Sequence, residues 1–297
     1  MKFLRLGDRG SEQPAVLAVG PDGREHAYSL SPLTSDIDGA FLADDGVTRV
    51  RAALAARELS EIDGAEGLRV GAPVARPGSV IGIGLNYAAH AAESGLDLPT
   101  APIVFLKPSN TVVGPHDPAP IPPSSAAFDW EAELAIVVGR AASYLATDGE
   151  AAACIAGYTL ADDLSERDYQ TSGSGQWTKG KSLPGSTPLG PWLVPADELD
   201  ASALRVRSWV NGEARQDAHT DDLVFGPTEL VRYCSQYMLL EPGDVILTGT
   251  PAGVALSGRF PYLAPGDTLE AEIEGLGRQR QKLYRAGAIS TAPELSF

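Results

Sequence analysis

Sulfur, positive charge and long apolar runs are all scarce in this chain. It holds two cysteines, Cys154 and Cys234, and two methionines in 297 residues. The two cysteines have no metal-ligand spacing, and reduced, buried thiols are expected over a disulfide. No apolar run approaches the ~20 residues of a membrane span. The opening MKFLRLGDRG lacks the apolar core of a secretory signal, so a soluble, cytoplasmic protein is expected. There are 23 Lys and Arg against 39 Asp and Glu, a net charge of −16. Such a surface repels phosphate backbones and anionic lipid, which argues against nucleic acid and membranes as partners. The glycine-rich LTGTPAGV, residues 247–254, has no Lys-Ser/Thr, which excludes a P-loop.

What is present is apolar β-forming sequence broken by turns. Apolar residues make up 43%, with 32 glycines and 23 prolines, a balance that favours a β-dominated α+β fold over a helix bundle. Residues 1–70 read as a small N-terminal domain. FLRLG, AVLAVG and EHAYSL are short strands there, and residues 46–64 carry helical periodicity ending on Gly64. GAPVARPGS, residues 71–79, reads as a linker into a larger domain, the whole of 71–297. In it PIVFLKP, AELAIVVG, LRVRSWVNGE, GDVILTG and DTLEAEIEG read as strands, with a hairpin turn at Asn211-Gly212. Helices are expected in NYAAHAAESG, DGEAAACIAGY and PTELVRYCSQYM, and the last residues, ISTAPELSF, are expected to trail off.

The chemistry concentrates in DWEAELAIVV, residues 129–138. Strand side chains alternate, so Glu131 and Glu133 share one face, about 7 Å apart at Cα. Two like charges leading into an apolar face need neutralising, and a divalent cation does so; a solvated strand end is the simpler alternative. A second acidic stretch, residues 157–170, places Asp162 and Asp163 at the end of another apolar segment. Capping offers an ordinary role here, with Asp163 or Ser165 as N-cap and Asp168 closing a capping box. Lys179 and Lys181 lie in a glycine-bounded loop. His90 and Glu93 stand at i, i+3 on a short helix that Gly95 stops, an arrangement in which a carboxylate can orient a basic imidazole.

GLNYAAHAAESG, PIVFLKPSNTVVGP, DWEAELAIVVG, AGYTLADDLSERDYQ, QWTKGKS, PLGPWLVPADEL, VNGEARQ and LEPGDVILTGTPAGV together resemble, in order, the landmarks of the fumarylacetoacetate hydrolase family. The likeness spans about residues 78–277 and is nearest the subgroup acting on acylpyruvates and 2,4-dioxo sugar acids. The resemblance implies a mixed β-sandwich roll with a smaller N-terminal domain, usually dimeric. It implies Mg²⁺ or Mn²⁺ on Glu131, Glu133 and Asp163, a catalytic Lys181, and water activation by His90 and Glu93. Lys107, Arg167, Gln170 and Thr250 match positions lining the family's pocket. One departure stands out. Relatives commonly follow the lysine with Ser-Phe-Asp-Thr-Phe, whereas here Ser182 is followed by Leu183, Pro184, Gly185, Ser186 and Thr187, which puts the substrate in question.

The expected activity is metal-dependent hydrolysis of the C–C bond of a 2,4-dioxo acid, giving pyruvate or another 2-oxo acid and a carboxylic acid. Decarboxylation or isomerisation of a 2-oxo or 2-hydroxydienoic diacid on the same site is one alternative. A non-catalytic, metal-binding β-roll is the other.

Overall fold

A computed structural model describes residues 1–287. The expected tail ISTAPELSF, residues 289–297, lies outside them. Strands outnumber α-helices nineteen to seven among the described residues, so the β-dominated α+β class holds. No helix among them is long and apolar enough to cross a membrane.

The central strand is Ala132–Val138, and all seven of its residues are buried. It pairs antiparallel with Ile155–Asp162 on one side and with Val245–Leu247 on the other. Val80–Gly84 and Ile103–Lys107 extend this sheet beyond Val245–Leu247, and Val194–Pro195 closes its other edge. Alternation sends its two faces into different cores. Leu134, Ile136 and Val138 pack with Val206, Ala271 and Ile273 of a five-stranded sheet and with Leu230 and Cys234 of the helix Pro227–Cys234. Ala135 and Val137 instead meet Phe3, Val16 and Phe41. The N-terminal four-stranded sheet, Lys2–Leu6 with Gln13–Val19, Glu25–Ser29 and Val70–Gly71, therefore shares its core with the central sheet. Layered sheets of this kind form because each has an apolar face to bury.

Asn211 and Gly212 both have positive φ, 54° and 82°, and join Arg205–Val210 to Glu213–His219 as the expected hairpin turn. Cys154 and Cys234 are free and buried.

Three local expectations need correction. The helix expected over 46–64 spans only Gly46–Ala56 and ends on Arg57 in the left-handed region. The residues beyond it join a sheet edge: Ser29 N–H donates to Ser60 O, and Ile62 N–H to Ala27 O. A sheet edge with unpaired donors and acceptors outcompetes two more helical turns. The helix expected over 148–158 is only Asp148–Ala152, closed by a capping box of Thr147 and Glu150. Its apolar continuation is the strand Ile155–Asp162, paired on both sides. The segment 71–79 is no free linker, since Gly71 pairs with Arg5 and both Ala72 and Val74 are buried.

Candidate active site

The antiparallel register builds the site. Ala132 lies opposite Asp162, so Glu131 and Asp163, one residue further out on each strand, meet at the sheet's end. Asp163 N–H donates to Glu131 O at 2.9 Å. Glu133 reaches the same point from one step inside the strand. One carboxylate oxygen from each of Glu131, Glu133 and Asp163 lies within 4.8 Å of the others, and all three residues are buried. The solvated alternative for the two glutamates is thus excluded. So is capping by Asp163 or Ser165: the helix Arg167–Thr171 is capped by Glu166, whose side chain accepts from Tyr169 N–H at 2.7 Å.

Buried cations surround this cluster. Lys181 Nζ donates to Glu131 Oε2 at 2.6 Å and to Asp163 Oδ2 at 2.8 Å. Lys107 bonds the other Asp163 oxygen and donates to Ser186 O at 2.8 Å. Arg167 Nη2 lies 2.7 Å from Glu131 Oε1 and 2.8 Å from Asp129 Oδ2. Among the described residues no cation pairs with Glu133; its Oε2 accepts from Gly249 N–H at 2.6 Å.

The charges shift accordingly. Burial alone would raise the Glu131 carboxyl, but Lys181 and Arg167 outweigh it and hold its pKa at about 2. Burial, then the charges of Asp163 and Glu131, push Glu133 well above the ordinary carboxylate range. Burial would lower Lys181, yet Asp163 and Glu131 keep it above its usual value. Lys107 is lowered by burial despite Asp163. Asp162, buried behind the cluster, is raised by burial to about 7.

A divalent cation fits this arrangement. The converging donors are all carboxylate oxygens, with no nitrogen or sulfur among them, the set hard cations prefer. Glu133 also pays a high cost for ionising without a closely bound positive charge.

A cavity of about 400 Å³ opens onto the cluster. His90, Glu93, Glu131, Arg167, Gln170, Lys181 and Thr250 all line it. His90 sits on the helix Ala88–Glu93 and is buried, which lowers its pKa and favours the neutral ring. Its Nδ1 is 3.8 Å from Glu93 Oε2, longer than a hydrogen bond, and has no other partner. Glu93 is held by Gly253 N–H at 2.9 Å and by Arg259 at 3.3 Å. Gln170 Oε1 accepts from Arg167 Nη1 at 2.9 Å. Thr250 Oγ1 donates to Ala132 O at 2.9 Å and accepts from Gln216 Nε2 at 2.7 Å.

Two expectations change here. Lys107 is not on the cavity wall but behind Asp163, because its strand Ile103–Lys107 ends beneath that carboxylate. None of residues 182–187 lines the cavity either. Leu183 packs on an apolar cluster and Ser186 Oγ donates to Lys181 O at 3.0 Å, so the altered loop supports the lysine from behind. The sequence reading missed Asp129, which accepts from Arg167 Nε at 2.8 Å and from Ala255 and Leu256 N–H at 2.8 and 3.0 Å. It also missed Gly249, Phe105 and Trp177. Asp129 stood in the quoted DWEAE and could have been noticed as a third acid on that stretch.

Residues 79–284 match the family model for the fumarylacetoacetate (FAA) hydrolase C-terminal domain. The chain belongs to the fumarylacetoacetate hydrolase family. A Burkholderia ambifaria protein, named only provisionally as a hydrolase, is 42% identical over 290 residues, 96% of this chain and 100% of its own. The 5-carboxymethyl-2-hydroxymuconate delta-isomerase of Mycobacterium smegmatis matches at 34% identity with a TM-score of 0.76, over 97% of this chain and 100% of the other. The maleylpyruvate hydrolase of a Sphingobium species, solved with manganese(II) and pyruvate, matches at 26% identity with a TM-score of 0.78, over 97% and 100%. This family member thus resembles both hydrolases and isomerases.

Proposed function

We propose that the chain is a divalent-metal-dependent hydrolase that cleaves an acylpyruvate, a 2,4-dioxo acid, into pyruvate and a carboxylic acid. The observation that carries this reading is that His90 and Glu93 line the same cavity as Glu131 and Lys181. Glu131, Glu133 and Asp163 would hold Mg²⁺ or Mn²⁺. When bound, such an ion supplies Lewis acidity to the 2-oxo acid end of the substrate.

The protein's own groups do the rest. His90, kept neutral by burial, takes a proton from water. The water oxygen bonds to C4 of the substrate. The C3–C4 bond then breaks, its electron pair passing into the enolate of pyruvate. Lys181, held protonated among carboxylates, offers its positive charge to that enolate. Protonation at C3 gives pyruvate, and C4 leaves as the carboxylic acid. Glu93, fixed by Gly253 N–H and 3.8 Å from His90 Nδ1, stabilises the charged form of the ring.

One observation favours a second reading. Nδ1 of His90 and Glu93 are 3.8 Å apart, not hydrogen-bonded. Isomerisation or decarboxylation of a 2-oxo or 2-hydroxydienoic diacid needs the enolate stabilised but no activated water, and a similar protein is an isomerase. Metal-loaded protein should be incubated with acetopyruvate and, separately, with oxaloacetate, with and without EDTA. Acetate plus pyruvate from acetopyruvate, lost with EDTA, is expected. Pyruvate from oxaloacetate alone would favour the second reading.

We further propose a homodimer working in the cytoplasm, on a small-molecule 2-oxo acid. Light scattering of the purified chain tests the dimer.

A further inference from the structure

We infer that the cavity's apolar wall takes an uncharged hydrocarbon group, so that the substrates are alkyl- or aryl-acylpyruvates rather than acids with a second carboxylate or a sugar chain. This rests on the acylpyruvate reading of the site. Ile83, Leu85, Leu96, Phe105, Trp177 and Leu256 line the cavity together with the catalytic groups. Leu96 and Leu256 are 52% and 40% exposed, so a hydrocarbon group lying against them would bury further apolar surface.

Two glycines make room for the aromatic part of this wall. A Cβ on Gly84 would lie 2.2 Å from the Trp177 ring, and a Cβ on Gly82 would lie 2.2 Å from Phe105. The two rings adjoin each other beside the lysine. Lys181 Nζ stands 5.2 Å from the Phe105 centroid, and the Phe105 and Trp177 centroids are 5.9 Å apart with the rings tilted by 59°. A flat or extended hydrocarbon attached at C4 could run along them.

The positive charges of the cavity wall stand at its reacting end. The strong cations on the cavity wall among the described residues are Arg167 and Lys181. Both are ion-paired, Arg167 with Asp129 and Glu131, Lys181 with Glu131 and Asp163. Nearby Arg259 pairs with Glu93. Both cations contact Glu131, so a second carboxylate laid against the apolar side chains would be desolvated away from them. The hydroxyls of Thr171 and Ser257 on this wall donate to backbone carbonyls, at 2.9 and 2.7 Å.

Two measurements on the full chain with Mg²⁺ test this. The first is kcat/KM for acetopyruvate, hexanoylpyruvate, benzoylpyruvate and succinylpyruvate. We expect a rise of up to about fourfold per added methylene, a gain of about tenfold or more for benzoyl over acetyl, and succinylpyruvate the poorest. Trp177→Ala should shrink the benzoyl-to-acetyl ratio by about tenfold. The second is thermal stabilisation by 2-oxohexanoate and by 2-oxoadipate, which needs no turnover. Stabilisation at lower concentration by 2-oxohexanoate is expected. Equal or better stabilisation by 2-oxoadipate, or a preference for succinylpyruvate, would overturn the inference. If no acylpyruvate is cleaved while 2-oxohexanoate still binds better, the hydrolase reading fails and the apolar wall stands.

Discussion

Lys181 Nζ is 2.6 Å from Glu131 Oε2 and also touches Asp163, so one buried ammonium bridges two of the three carboxylates that converge at the site. The same side chain thus offsets the carboxylate charge and faces the cavity. Lys181→Met should cut kcat by about 10²–10³-fold, the range for losing one preorganised electrostatic partner of a developing anion. Metal binding should persist, because Glu131, Glu133 and Asp163, proposed to hold the ion, remain. Steady-state rates beside calorimetric metal titration separate the two effects.

Burial lowers the His90 pKa, so the ring stays neutral to more acid pH than an ordinary histidine at about 6.5. The base form is the unprotonated one and is lost as pH falls through the lowered pKa. The acid limb of kcat/KM should therefore lie below about pH 6.5. His90→Gln should abolish that limb and slow acylpyruvate hydrolysis by about 10²–10⁴-fold. A pH–rate profile of both proteins checks it.

Burial and the charges of Asp163 and Glu131 make the Glu133 carboxyl, proposed above to hold the metal, hard to ionise. Removing metal should lower the melting temperature, since a ligand at a hundredfold excess over its Kd adds about 2.7 kcal/mol. Glu133→Gln should leave little metal-dependent shift. Melting curves across a Mn²⁺ titration report both.

Asp129 pairs with the Arg167 guanidinium and accepts from two backbone N–H groups of the 254–257 turn. Asp129→Ala should destabilise the fold by about 3–5 kcal/mol, the cost of breaking a buried ion pair from one side. It should also weaken substrate binding by loosening Arg167 and Leu256 on the cavity wall. Denaturant unfolding and KM measure the two consequences.

The pairing of Glu131 with Glu133 was legible because strand alternation is local, and the central strand keeps that alternation in its two cores. Asp163, Lys181 and the His90–Glu93 pair were legible through family resemblance, and all come to one place. What escaped the sequence depended on distant partners. Gly249 contributes a backbone N–H, which leaves no side-chain signature. Phe105 and Trp177 meet only because Gly82 and Gly84 clear space on the neighbouring strand. Lys107 matched a pocket position, but its direction is set by Asp163 and Ser186. Residues 57–64 were drawn from helix to sheet edge by contacts with Ala27 and Ser29.

The most direct test of hydrolysis is proton NMR of acetopyruvate incubated with Mg²⁺-loaded protein. Acetate and pyruvate should appear in equal amounts, and neither should form after EDTA treatment or with His90→Gln. Unchanged acetopyruvate, or cleavage at an undiminished rate with His90→Gln, would contradict the assignment of His90 as the base that activates water.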